Sequence, residues 1–331
     1  MPISYNHKLK TLYLIKILKE QTDENNNLSI SQIISHLGRV GIQAERKSIY
    51  SDIELLRNFG IDIIYQKGKS GGYCIACRDF EMPELKLLVD AVQSSKFITT
   101  KKSQGLISKL KKLTSNAQGR ELQRQVFVTH RNKSINENIY YNIDAIFSAI
   151  LKNRQISFKY YEFNTDKQKK YKKEGKVYIA NPYVLTWSED NYYLILNHMK
   201  YDNLAHYRVD RMADITVLFQ PRRPMEEVTQ TENLNIAQYI DKHFSMYPGE
   251  EQTVRLRFHN SLINVVIDRF GQEVHLAGDG DQRFIITVNV KISPTFIGWL
   301  LMFGQNVKIL GPQSLIEQVV NQAKTITEMY Q

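Results

Sequence analysis

Apolar side chains recur along this chain with two periods, and the change from one to the other marks its segments. Near the start, Leu9, Leu12, Tyr13, Ile15, Ile17 and Leu18 fall mostly at helical spacing and predict a helix over Lys8–Lys19. A polar loop, 21–27, follows. Ser29 or Ser31 then caps a short helix through Ile33, Ile34 and Leu37, with Gly38 as its stop. Another helix is predicted from about Glu45 to Asn58, ending at Gly60. Two strand-like runs, 61–65 and 73–75, are joined by a glycine-rich turn. Helix, helix, turn, helix, hairpin is the order of a winged helix-turn-helix.

The period stays helical over the next segment. Met82-Pro83-Glu84 is a helix start with Pro in the first turn, and Leu85, Leu87, Leu88, Val89 and Val92 continue an apolar face. A further helix is predicted from Gln104 to about Leu113. After one more helix, Asp144–Lys152, the pattern turns to β over 155–161, 176–185, 192–198 and 205–209. Short strands at that spacing predict a small, strongly bent sheet or barrel. The last segment alternates strand, helix, strand, helix, strand, helix, with strands at 253–258, 284–290 and 307–310 and helices at 263–270, 294–303 and 314–329. The whole is a multi-domain α+β chain: 1–79 a winged helix-turn-helix, 80–140 a helical connector, 141–228 a β domain and 233–331 an α+β module.

Length and composition agree: 331 residues, 42% hydrophobic and 24% charged, are enough for two or three ordinary globular domains. No run of eighteen apolar residues is present, so no membrane helix is expected, and the N-terminus lacks the apolar core of a signal peptide. Both point to the cytoplasm. Cys74 and Cys77 have no second ligand pair for zinc and sit at the end of a hairpin, so they read as ordinary strand residues. Gly278-Asp279-Gly280-Asp281 lacks the later ligands of a calcium loop and reads as a hairpin turn. No nucleotide-binding, hydrolase-elbow or zinc-protease motif is present, so neither an enzyme nor a cofactor or metal site is expected.

The charge is uneven. The net is +10, yet residues 96–133 hold ten basic side chains against one acid, and 152–176 hold nine against three. From Glu226 onward eight basic face twelve acidic residues. A polyanionic partner for the first half is the direct implication. If Ile49, Ile53 and Leu56 face the core of the head, Lys47 and Ser51 point furthest outward, flanked by Ser48 and Tyr50, with Arg46 in the first turn. Those are the positions from which a recognition helix reads base edges and phosphates in the major groove. Lys67 and Lys69 at the hairpin tip are placed to meet the backbone as a wing would. In the β segment, Arg208 and Arg211 bring guanidinium forks among tyrosines, eleven of the nineteen in the chain lying between Tyr140 and Tyr207. Cations interleaved with aromatics hold nucleotides and single strands.

These residues resemble a known family. The runs 48–53, Leu56, Gly60-Ile61 and 68–73 are similar to the N-terminal domain of bacterial WYL-domain transcriptional regulators. Tyr192-Tyr193-Leu194 stands where that family has Trp-Tyr-Leu, Asn181-Pro182-Tyr183 matches its Pro-Tyr segment, and 207–212 matches its arginine motif. Gly298-Trp299-Leu300-Leu301, Phe303-Gly304 and Leu310-Gly311-Pro312 are similar to the family's C-terminal extension. The resemblance implies an Sm-like β domain that senses a nucleotide, nucleic acid or other anion through Tyr183, Tyr193, His198, Arg208 and Arg211. Two positions depart from the pattern: Ser51 replaces an arginine of the recognition helix, and Tyr178 replaces an arginine upstream of the proline. The expected protein is a homodimeric regulator of double-stranded DNA under the control of an effector. The alternative is an RNA- or single-strand-binding accessory factor that uses the middle domain as its main site. If Arg208 and Arg211 pair with Asp210 or Glu189, they are scaffold rather than ligand contacts.

Overall fold

The structure, a computed structural model, describes residues 3–68, 71–122, 133–230 and 235–331. The backbone forms two compact units, Met1–Glu137 and Asn138–Gln331. Among the described residues no helix is long and apolar enough to cross a membrane.

The first unit opens with α1 (Ile3–Gln21), α2 (Ile30–Arg39), α3 (Arg46–Asn58) and an antiparallel hairpin of β1 (Ile63–Gln66) and β2 (Gly72–Ile75). Leu14 and Leu18, Ile33 and Leu37, and Ile49 and Ile53 bury the facing stripes of the three helices in one core. Ser29, not Ser31, caps α2, in a reciprocal box with Gln32. Gly38 lies inside the last turn of α2, and the left-handed turn falls on Gly41 instead, at φ +78°. Gly72 is required by close approach: a Cβ there would lie 2.6 Å from the backbone of Leu28, which exchanges two hydrogen bonds with Tyr73. Cys74 is a buried thiol of β2 and Cys77 is exposed just past it, both free.

Three more helices complete this unit: α4 (Met82–Ser94), α5 (Thr100–Leu110) and α6 (Asn116–Glu121). Helix α5 starts earlier than the apolar pattern predicts because the Thr99 hydroxyl caps it by accepting from the Lys102 N–H. At six residues, α6 is too short to show a period. Its capping Ser115 donates to Asp23, and Gln118 donates to Glu24 at 3.0 Å. The Arg78 guanidinium donates to the Lys19 and Thr22 carbonyls. The Ser115 and Gln118 bonds join connector to head, and Met1–Glu137 is one compact unit.

In the second unit α7 (Ile139–Leu151) leads into β3 (Arg154–Phe163), β4 (Lys169–Tyr171), β5 (Tyr178–Ser188), β6 (Asn191–His198), β7 (Leu204–Arg208) and β8 (Met212–Pro221). All pair antiparallel, in the order β4-β3-β5-β6-β7, with β8 on the other edge of β3. Helix α7 fills the curled inner face with Ile146 and Ala149, against Ile156 and Phe158 of β3 and Leu194 and Leu196 of β6. Strand β8, which the sequence pattern did not separate, bends at two register shifts against β3.

Two short helices, α8 (Met225–Thr229) and α9 (Ile236–Asp241), precede the C-terminal module. That module runs β9 (Glu250–His259), α10 (Ile263–Phe270), β10 (Ala277–Gly278), β11 (Arg283–Ile292), α11 (Pro294–Leu301), β12 (Val307–Gly311) and α12 (Gln313–Met329). Its antiparallel sheet has the order β10-β11-β9-β12, and the turn between β10 and β11 holds Asp279 and Gly280. Helices α10, α11 and α12 all pack on one face, on Val254, Leu256, Phe258, Phe284 and Ile286.

A pair of histidines joins the curled sheet to the segment before this module. The rings of His206 on β7 and His243 after α9 meet edge to face at 4.7 Å. His206 bonds the Met246 carbonyl at 2.9 Å and the Tyr239 hydroxyl at 3.0 Å. Burial, reinforced by His243, pulls the His206 pKa down to about 4, and burial lowers His243 as well. A histidine held neutral in the fold but ordinary when unfolded makes the unfolded state bind more protons between those two values. Stability is therefore full above pH 6.5 and falls as the pH drops toward 4. Thermal melts from pH 7.5 to 4.5 should show this loss, and His206→Gln should flatten it. A variant with the wild-type pH slope would contradict the assignment.

Candidate functional site

The head presents its α3 residues in two groups. Arg46, Lys47 and Ser51 are exposed and make no hydrogen bond or ion pair among the described residues, while Ile49, Ile53 and Leu56 are buried beneath them. Tyr50 is also exposed and leans edge-on toward Tyr73 of the hairpin. Ser48 belongs to the scaffold instead. It accepts from the Lys10 ammonium, which also pairs with Asp52 at 2.9 Å, locking α1 to α3. On the hairpin Lys67 is exposed; Lys69 lies outside the described residues.

The five side chains assigned to an effector pocket lie in three places. Tyr183 sits at the bulge between Pro182 and Val184, almost fully buried. It donates to the Arg223 carbonyl at 2.9 Å beneath the Arg222 guanidinium, and burial pushes its pKa up to about 12. Tyr193 points to the outer face of β6, with Ile195 against Met246, so the inward-facing His198 is on the opposite side of the strand. Arg208, at the end of β7, makes a two-pronged ion pair with Asp210 at 2.9 and 3.1 Å and donates to Asn191 at 2.7 Å. Burial alone would lower its pKa; the bond and charge of Asp210 reverse that and leave it raised. The guanidinium fork is thus already filled by a carboxylate of the same turn. Arg211, in the short 3-10 turn of Val209–Arg211, is half-exposed with no such partner among the described residues.

His198 opens instead into a cavity of about 830 Å³ at the mouth of the curled sheet. Tyr178, Tyr207 and His198 face one another there with ring centres 5.5–6.1 Å apart, and Phe158 stacks under Tyr178 at 5.4 Å. The Tyr207 hydroxyl lies 2.9 Å from His198 Nε2 while the Ile179 carbonyl lies 3.4 Å from Nδ1. A carbonyl only accepts, so Nδ1 carries the proton and Nε2 accepts from the tyrosine. Burial lowers the His198 pKa and raises that of Tyr207 to about 12, which keeps this floor neutral near pH 7. The positive charge comes from Lys173, Lys176 and Lys200 around the rim, with the Lys173 ammonium 5.2 Å above the Tyr178 ring. Neutral aromatic faces below and cations above suit a ring-bearing anion.

Sequence reasoning missed the three lysines and the floor role of Tyr178 and Tyr207. The signal was there, in the basic run 152–176 and the density of tyrosines, but which of those residues meet depends on the pairing of β3 with β5.

Residues 141–217 match the WYL domain and residues 250–327 the WCX domain, so the chain contains both. Among solved structures it is similar to proteasome accessory factor B/C (PafBC) of Arthrobacter aurescens, at 16% identity and a TM-score of 0.29. That match covers 94% of this chain and 47% of the other, so the chain spans about half its length. No curated protein matches the chain significantly.

The two arginines separate in their expected effects. Arg208→Ala removes the two-pronged pair with Asp210 and should cost about 1–3 kcal/mol, whereas Arg211→Ala should leave stability unchanged within about 0.5 kcal/mol. Urea unfolding of the two variants decides this. Equal effects would mean that the Asp210 pair does not hold the turn.

Proposed function

We propose that this chain is a non-enzymatic, DNA-binding transcription regulator whose WYL domain senses an anionic, ring-bearing effector of the nucleotide class. The head acts as a winged helix-turn-helix, with α3 in the major groove and the β1–β2 hairpin as the wing. The observation that carries the reading is the combination, in one chain, of a WYL domain holding a lysine-rimmed aromatic cavity and a head whose α3 leaves Arg46, Lys47 and Ser51 exposed on its outer face. One such head covers too little duplex for a unique address, which favours a homodimer on a two-fold site. Arg208 serves as scaffold, and the effector contacts are Lys173, Lys200, Tyr178, Tyr207 and His198. Effector control requires that the two DNA-affinity states bind it unequally.

The stacking floor also supports the second reading, an accessory factor for RNA or single strands, because every base offers a face to such rings. Filter binding of duplex against single-stranded DNA separates the two.

Genome-wide mapping of bound DNA supplies the operator for the main test. Lys47→Ala should weaken the operator by about 1–3 kcal/mol and change which bases are preferred. Lys67→Ala should weaken all duplexes alike and lower the salt slope by about one. Fluorescence anisotropy reads both, and wild-type behaviour of both variants would dismiss α3 and the hairpin as the interface. For the sensor, the double variant Lys173→Gln/Lys200→Gln should keep operator affinity and thermal stability yet lose the response to nucleotides in calorimetry. An unchanged response in that well-folded variant would remove the cavity from the mechanism.

A further inference from the structure

The last third of the chain is acidic overall, yet its sheet is basic on one side. In the C-terminal module β9 alternates Val254, Leu256 and Phe258 into the core with Arg255, Arg257 and His259 away from it. The pairing aligns these outward positions with their neighbours: Arg283 of β11 opposite His259, and Lys308 of β12 opposite Arg257. Five basic side chains from three strands, distant in sequence, therefore share the face that α10, α11 and α12 leave uncovered. Four of them are among only eight lysines and arginines beyond Glu226, so the charge of this module is segregated rather than scattered.

The cluster is a concavity as well as a patch. Arg257, His259, Arg283 and Lys308, with Gln305 and Asn306 from the turn before β12, line a hollow of about 360 Å³. Arg257 is the only one of the five with an ion pair among the described residues, to Asp279 at 2.6 Å. Arg255, Arg283 and Lys308 are exposed without a hydrogen bond or ion pair there, and His259 uses Nδ1 on Ser261, leaving Nε2 for another partner. Like charges directly opposite in a sheet repel and destabilise it, and Arg257 against Lys308 is such a pair. Asp279 offsets Arg257 alone; Arg283 and Lys308, on the strands either side of β9, keep uncompensated charge among the described residues. The spacing suits phosphate: guanidinium forks for its oxygens, an ammonium as a point charge, and two side-chain amides as neutral donors.

We propose that the open face of the β9–β11–β12 sheet is a phosphate-binding site, built by Arg283 and Lys308 on either side of the Asp279-paired Arg257 and separate from both α3 and the cavity of the curled sheet. The phosphate belongs either to a small pyrophosphate-type ligand or to the backbone of a nucleic acid strand. Site-resolved lysine acetylation of the full-length protein, read by mass spectrometry, tests this at Lys308 itself. The probes are inorganic pyrophosphate and a twelve-nucleotide single-stranded DNA. Protection of Lys308 by pyrophosphate identifies a small-ligand site, and protection by the oligonucleotide alone identifies a strand-binding face. Protection by neither overturns the proposal.

The double variant Arg283→Gln/Lys308→Gln then checks that the contact contributes to binding. Both side chains are exposed, so the module should fold with a melting temperature close to that of the wild type. Whichever probe protects Lys308 should bind this variant several-fold more weakly; for the oligonucleotide the salt slope should fall by about 1.4, two contacts at about 0.7 each. Unchanged binding of that probe overturns the proposal. Because acetylation is read at Lys308, and Lys47→Ala and Lys173→Gln leave this face intact, failure here and failure of the regulator reading are distinguishable.

Discussion

A buried row of three amides carries the arrangement of the curled sheet. Gln155 of β3 donates to Asn181 of β5 at 3.0 Å, and Asn181 donates to Asn197 of β6 at the same distance. Asn197 then holds the Tyr201 and Asn203 carbonyls, while the Arg223 N–H donates to Asn181. Asn181 and Asn197 have no exposed surface, so each amide depends on the others for its hydrogen bonds. The row fixes the relative position of three strands, the turn that carries Lys200 and Tyr201, and the chain leaving β8. Every wall of the aromatic cavity is attached to one of those elements. A buried polar row is costly when broken and unambiguous when complete, which suits a sheet that must hold its register across several bulges.

Around that row the sheet sorts its charges by face. Arg208 is spent on Asp210 and Asn191, which ties the end of β7 to the turn before β8 and leaves the arginine motif largely structural. Lys173, Lys176 and Lys200 stand at the edge of the sheet over the aromatic floor, with no carboxylate partner among the described residues. The same logic appears in the head, where Ser48 and Asp52 are taken by Lys10 while Arg46, Lys47 and Ser51 stay open, and in the C-terminal module, where core helices cover one side of the sheet and basic residues the other. In each of the three places an apolar layer carries basic side chains on its outer surface.

The helices and strands of this chain were largely legible from apolar spacing. The predicted helix over Ile263–Phe270 coincides with α10, and Ile49, Ile53 and Leu56 are the buried stripe of α3, because a helix fixes which residues share a face from local geometry alone. The turn at Asp279–Gly280 and the strand character of Cys74 were legible for the same local reason. Elements too short for a period, such as α6, or continuous with a neighbouring strand, such as β8, were not. Caps shifted boundaries where the capping residue lay outside the apolar run, as Thr99 does for α5.

The site residues divide along the same line. The sequence alone determined that cations and tyrosines are concentrated in the middle of the chain, and that α3 has an outward basic face. It could not determine that Arg208 would meet Asp210 in a closed fork, that Tyr193 and His198 would take opposite faces of β6, or that Lys173 would reach over Tyr178. Nor could it show that Arg257 and Lys308, distant in sequence, stand side by side in an otherwise acidic module. Helical neighbours are set by a repeat within a few residues, whereas strand neighbours are set by pairing and register between distant segments. Only the tertiary structure decides those, and both the aromatic cavity and the basic face of the last sheet are placed by them.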